Sequence, residues 1–162
     1  MQARAVALKT RPEGMPTTDN FQIIDIEVPE PQDGEIQVEN VCMSVDPYMR
    51  GRMYDRKSYT PPFQIGEALT GGSIGKVTQS AHPDFQPGDY VSSPWGWREA
   101  FTAPAKGIER LGEIVAPPSA YIGTIGMPGM TAYVGLLEVG ANVTDIGLSP
   151  TPLLYFSCVK NN

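Results

Sequence analysis

Phe21-Gln22-Ile23-Ile24-Asp25-Ile26-Glu27-Val28, then Pro29-Glu30-Pro31-Gln32-Asp33-Gly34, then Glu35-Ile36-Gln37-Val38-Glu39-Asn40-Val41-Cys42-Met43-Ser44 is the stretch that decides the fold class. Ile24, Ile26 and Val28 recur at every second position, the period of a strand with one buried face. The middle segment holds two prolines and ends on glycine, a strong turn signal. Ile36 and Val38 resume the alternation, and the apolar Val41 is expected to face inward with them. Strand, turn and strand are therefore the repeating currency of this chain.

Residues 3–9 are a further short strand, followed by a turn-rich stretch over 11–20. Downstream, Asp46-Pro47 breaks the strand and opens a loop or short helix through Met53. An Asp that can cap and a Pro in the first turn suit a helix start. Residues 59–63 are proline-rich and irregular. Gly71, Gly72 and Gly75 punctuate an apolar run over 67–77. Phe85-Gln86-Pro87-Gly88-Asp89 reads as a tight turn before a strand over 90–93, and 98–103 and 108–111 read as two more. Many short strands at turn-rich intervals predict a small barrel or sandwich. Helical spacing comes late, at Tyr121, Ile122, Ile125, Met130, Val134, Leu136, Leu137 and Val139. Pro128-Gly129 interrupts it, so two helices are expected, the second over about 129–139.

The chain has 162 residues, room for one ordinary domain with a self-sufficient core. Its 17 glycines and 16 prolines suit short strands better than a helical bundle. A net charge of −6 disfavours a nucleic-acid partner, which calls for a basic face. Arg50, Arg52, Arg56 and Lys57 are a local exception: a phosphate- or acid-attracting patch, or a solvated loop. No apolar run approaches the ~18 residues of a membrane span. The start, Met1-Gln2-Ala3-Arg4, lacks the apolar core of a signal peptide. With two separated cysteines, Cys42 and Cys158, a reduced, cytoplasmic, soluble protein is expected. The only histidine is His82 and there is no CxxC pair, so no zinc site is expected.

Gly71-Gly72-Ser73-Ile74-Gly75 has neither the spacing nor the following helix of a phosphate loop. It reads as a glycine-rich strand with a bulge or bend. His82 precedes proline in a polar loop, where a surface role outweighs that of a general base. Tyr48 is the residue to single out. A phenol is protonated at neutral pH and can donate a hydrogen bond to an oxygen that gains negative charge. The bland alternative is a ring packed over the barrel mouth with its hydroxyl in water.

Two motifs, Val45-Asp46-Pro47-Tyr48-Met49-Arg50-Gly51-Arg52-Met53 and Gly126-Met127-Pro128-Gly129-Met130-Thr131-Ala132-Tyr133, together resemble the N-terminal domain of medium-chain dehydrogenase/reductases. The branch is the zinc-independent one that reduces enone double bonds, including curcumin and prostaglandin/leukotriene reductases. The resemblance runs from about 3 to 140. It implies a mainly β fold with a few helices, a GroES-like partly open β-barrel, lacking the Rossmann domain. It divides the chain into the barrel domain (1–122), a helical segment that normally joins a nucleotide-binding domain (123–140), and an atypical tail (141–162). It implies a substrate cleft at Tyr48, Met49, Tyr54 and Trp97, with Tyr48 as the enolate-side donor. Tyr59 is a further substrate-side candidate, and Trp97 either packs near the cleft or is structural. Met127 and Thr131 would approach the nicotinamide of NADP(H). Zinc relatives place a Cys where this chain reads Ser44-Val45-Asp46 and a His–Glu pair where it reads Gly66-Glu67, which implies the metal-free branch.

Residues 141–162 do not resemble the expected strand and glycine-rich turn. The expectation is a truncated substrate-side domain that binds no NADP(H) and is inactive alone, with a tail such as follows truncation, frameshift or recombination in a mobile gene. Leu153-Leu154-Tyr155-Phe156-Ser157-Cys158-Val159-Lys160 is β-prone and is expected to complete the barrel sheet or to swap. The alternatives are a free-standing barrel that binds a small apolar, enone-type ligand or forms a homo-oligomer, and a folded relic.

Overall fold

The computed structural model describes residues 1–140. The tail readings, including the strand expected over 153–160, lie outside the described residues. The chain runs β1 (Gln2–Leu8), β2 (Phe21–Glu27), β3 (Glu35–Met43), α1 (Pro47–Arg52), β4 (Ser73–Ser80), β5 (Tyr90–Ser93), β6 (Ala100–Pro104), β7 (Glu109–Arg110), α2 (Pro118–Tyr121) and α3 (Met127–Glu138). Among the described residues the fold is mainly β with three α-helices, as the turn-rich strand pattern predicts.

β1 and β2 form one antiparallel ladder, and the other five strands form a second sheet in the order β6-β3-β4-β5-β7. Isolated bridges from Ala5 to Arg98, Ala7 to Ala68 and Leu8 to Ile65 tie β1 to the rest. The two sheets do not merge into one closed barrel among the described residues. The core follows the alternation. Ile36 and Val38 of β3 pack with Val77, Val91 and Phe101. Val28, which follows β2, packs with Ala3 and Ala100, and Ile26 joins them.

Val41 does not face inward as expected. Ile36, Val38 and Asn40 keep a two-residue period, which puts Val41 on the outer face, and the β3–β4 register shift between Asn40 and Cys42 leaves it without a partner on β4. Val41 is 53% exposed. Asn40 takes the inner position instead, and its side-chain amide donates to the carbonyls of Trp95 and Arg98, both at 2.8 Å. Gly75 sits opposite Asn40. A Cβ there would lie 2.4 Å from Val38 Cγ1 and 2.9 Å from the Glu39 carbonyl oxygen, so the bulge requires glycine. The glycine-rich stretch is thus strand and not a phosphate loop.

α3 starts at Met127, two residues before the expected 129. Pro128 lies in its first turn, where a missing N–H costs no helical hydrogen bond. His82 sits in the turn after β4, with Nδ1 accepting from the Asp84 amide at 3.2 Å.

Candidate functional site

The site is built outward from α1. Pro47 occupies its first turn and Asp46 is its N-cap residue. Ser44 Oγ donates to Asp46 Oδ2 at 2.5 Å, and the Met49 amide donates to the Asp46 carbonyl at 3.1 Å. These local bonds fix how the chain leaves β3. Met49 and Met53 then face inward, where they pack with Leu8, Phe63 and Leu69. Val6, Phe21, Tyr48 and Trp97 flank the same cluster. Two of the sequence-predicted cleft residues, Tyr48 and Trp97, therefore meet on one apolar floor. Met49 is only 3% exposed and lies within that floor.

Tyr48 is half-buried, and burial is the main reason its phenol is pushed above the usual value. Asp46 and Tyr59 push in the same direction, and Arg52 pulls the other way. The hydroxyl accordingly stays protonated at neutral pH and remains a donor. Arg52 lies four residues on, on the same face of α1. Its Nε donates to the Pro61 carbonyl at 2.9 Å and its Nη1 to Thr70 Oγ1 at 3.0 Å. Its guanidinium carbon stacks 4.0 Å from the Phe63 ring centroid. Sequence reading counted Arg52 only as part of a basic segment. The signal that could have found it is its spacing from Tyr48.

Tyr54 is not part of the floor around Tyr48. Its ring stacks on Arg50 at 4.5 Å and Arg56 at 5.4 Å, and its hydroxyl accepts from Arg50. Arg50 also donates to the Gly14 carbonyl, so three of the locally basic residues are drawn into protein contacts. Tyr59 is 84% exposed.

Trp97 adopts a left-handed φ of +62°. Its amide donates to Met43 Sδ at 3.2 Å, and its carbonyl accepts from the Val6 amide at 2.8 Å. Its Nε1 is buried with no partner among the described residues. Trp97 also lines a cavity of about 300 Å³ with Val6, Ile23, Cys42, Met43 and Arg98, a feature the sequence did not announce. Burial pushes the Cys42 thiol up, so it is a poor nucleophile at neutral pH.

Met127 and Thr131 are on α3, and neither belongs to the floor around Tyr48. Met127 is 73% exposed, and Thr131 Oγ1 donates back to the Met127 carbonyl at 2.8 Å. Every strand ladder among the described residues is antiparallel. The strand-to-helix turn of a parallel sheet that cradles dinucleotides in doubly wound folds is thus not among the described residues. No group of three or more His, Cys, Asp or Glu among them could hold a metal ion.

Known proteins match this arrangement. Residues 4–111 match the family described as the N-terminal domain of oxidoreductase. The chain is 42% identical over 137 residues to the NADPH-dependent curcumin reductase of Escherichia coli, covering 85% of this chain and 40% of that protein. It is 38% identical over 142 residues to the NADP(+)-dependent 2-alkenal reductase of Nicotiana tabacum, covering 84% and 41% respectively. The crystal structure of CurA from Vibrio vulnificus superposes with a TM-score of 0.77 at 42% identity, covering 84% of this chain and 40% of that one. A second structure holds CurA in complex with NADPH. The chain thus spans about 40% of the length of the curated relatives it matches. By sequence and by fold it belongs to the oxidoreductase N-terminal domain family, in the branch that includes the curcumin, alkenal and prostaglandin reductases.

Proposed function

We propose that residues 1–140 form the substrate-side half of an NADPH-dependent reductase acting on enone or alkenal double bonds. The observation that carries this reading is the half-buried Tyr48 phenol on an apolar floor, a donor that stays protonated at neutral pH. An apolar enone lies against that floor, with Met49 shaping it from below and Trp97 from the side. Tyr48 donates to the carbonyl oxygen, which becomes an enolate oxygen during reduction. A preplaced donor of this kind contributes ~3–4 kcal/mol to the transition state. Tyr54 and Tyr59 belong to the outer, substrate-side rim. NADPH, when bound, supplies the hydride. Met127 and Thr131 are the residues offered to its nicotinamide end, once a nucleotide-binding domain completes the site. Polarisation by hydrogen-bond donors takes the role that a metal has in zinc enzymes. A reduced, cytoplasmic setting suits this chemistry.

The 162-residue chain by itself is expected to bind no NADP(H) and to turn over no enone. The test joins residues 1–140 to the remainder of the E. coli curcumin reductase and compares it with its Tyr48→Phe variant. The variant should lose ~10²–10³-fold in kcat, with KM for NADPH unchanged. An equal kcat would remove Tyr48 from the mechanism. Steady NADPH oxidation by the 162-residue chain would overturn its inactivity.

A second reading is favoured by α3, where Met130, Tyr133, Val134, Leu136 and Leu137 are all exposed. A helix that is apolar around much of its circumference belongs in an interface. On this reading the chain is a free-standing barrel protein that self-associates through α3 or holds a small apolar ligand.

A further inference from the structure

Arg52 is anchored in a way that a solvated surface arginine is not. Two of its N–H groups are committed, one to the Pro61 carbonyl and one to Thr70 Oγ1, and its plane rests on Phe63. The guanidinium carries five N–H donors, so donors remain beyond the two bound to Pro61 and Thr70. Tyr48 is one helical turn away on the same face of α1. We propose that Arg52 is a positioning residue for Tyr48: its fixed positive charge strengthens the phenol as a donor to an oxygen that gains negative charge.

The surroundings of Tyr48 show why such a charge matters. The side chains packed with it, from Leu8 of β1 to Met49, Met53, Phe63 and Leu69, are apolar. An apolar floor weakens any shift of electron density onto the phenol oxygen, because it cannot solvate a partial anion. Asp46, at the N-cap, adds a negative charge that works in the same direction, and Tyr59 acts similarly. Among the described residues, Arg52 is the one cation whose influence on Tyr48 opposes all three. A guanidinium that swung freely in water would be screened. One held by two hydrogen bonds and a ring presents its charge in a constant place. The site then favours substrates whose carbonyl oxygen accumulates much charge on reduction, which enones do and isolated alkenes do not.

This inference rests on Tyr48 being the donor, but its test does not need turnover. Tyrosines are replaced by 3,5-difluorotyrosine, whose more acidic phenol titrates below the alkaline limit of the fold. The ¹⁹F resonance of residue 48 is assigned by its loss in Tyr48→Phe, and its titration is followed in the 162-residue chain. In Arg52→Gln the midpoint should move to higher pH, and Arg52→Lys should restore most of the shift. Arg52→Met keeps the alkyl packing on Phe63 and serves in case the Gln variant does not fold. A merely structural role would perturb the neutral and the lysine variants alike. An unchanged midpoint in a folded neutral variant overturns the proposal, as does a lysine variant that behaves like the neutral ones. Failure of the Tyr48→Phe comparison in the fused reductase, with the titration shift present, would overturn the donor role and leave the coupling standing.

Discussion

Trp97 holds the one left-handed backbone conformation outside glycine among the described residues. For a bulky side chain this costs on the order of 1–3 kcal/mol and persists only where the surroundings over-determine it. Here the Val6 amide, Met43 Sδ and the apolar floor hold it. Gly96 makes the turn possible. A Cβ at that position would stand 2.8 Å from the Gly71 carbonyl oxygen, a backbone atom that cannot swing aside. Gly96→Ala should therefore cost roughly 2 kcal/mol, read as a lower urea midpoint at unchanged slope. It should also quench the tertiary circular dichroism of Trp97. A midpoint equal to that of the parent would mean the turn is looser than its geometry implies. The sequence pointed to Trp97 by resemblance, yet nothing in Trp95-Gly96-Trp97 signals a positive φ at the tryptophan and not at the glycine. That choice is made by the strand ends on either side.

At the scale of an element, β3 shows how strand alternation divides like residues. Val38 is buried at the centre of the core, and Val41 is exposed three residues later. Val38→Ala should destabilise by roughly 2–3 kcal/mol through lost packing and a cavity. Val41→Ala should stay within about 0.5 kcal/mol, as surface changes do. Similar losses from both, in urea melts, would mean that Val41 is packed and does not lie on the outer face of β3.

β5 and β7 offer a pH test. Partial burial works against ionising Asp89, but the Gln86 amide and the Arg110 guanidinium outweigh it and hold the carboxyl below its ordinary 3.8. A depressed folded value stabilises the fold above the unfolded value, and this contribution is lost as pH falls through the folded one. Stability should thus decline below about pH 4, and Asp89→Asn should flatten that part of the profile. An identical acid limb in the variant would place the acid sensitivity elsewhere. Turn and strand order were legible in these segments, because period and Pro-Gly punctuation are local. The β3 bulge was not legible, because it is set by the strand across from it.

For the whole molecule, the open question is what faces α3. A twelve-residue helix is marginal alone in water, and its exposed apolar residues favour a partner. Sedimentation of the 162-residue chain should show association that grows with concentration. Val134→Glu with Leu137→Glu should return it to a monomer while leaving the β-sheet signal intact. A parent chain that is monomeric across the whole range would assign α3 to a different covering, such as a nucleotide-binding domain. Calorimetry on the same sample should show no heat of NADPH binding.

Sequence alone determined the class of fold, the break of the strand at Asp46-Pro47, and membership of a reductase-type family. These depend on spacing, capping and turn residues that act over a few positions. Tertiary structure alone decided that Val41 has no partner on β4, that Trp97 is left-handed, and that Tyr54 is engaged by two arginines. It also decided that Arg52 is fixed by Thr70, eighteen residues away. Such outcomes depend on which segments meet across space, and no local pattern in the chain encodes that.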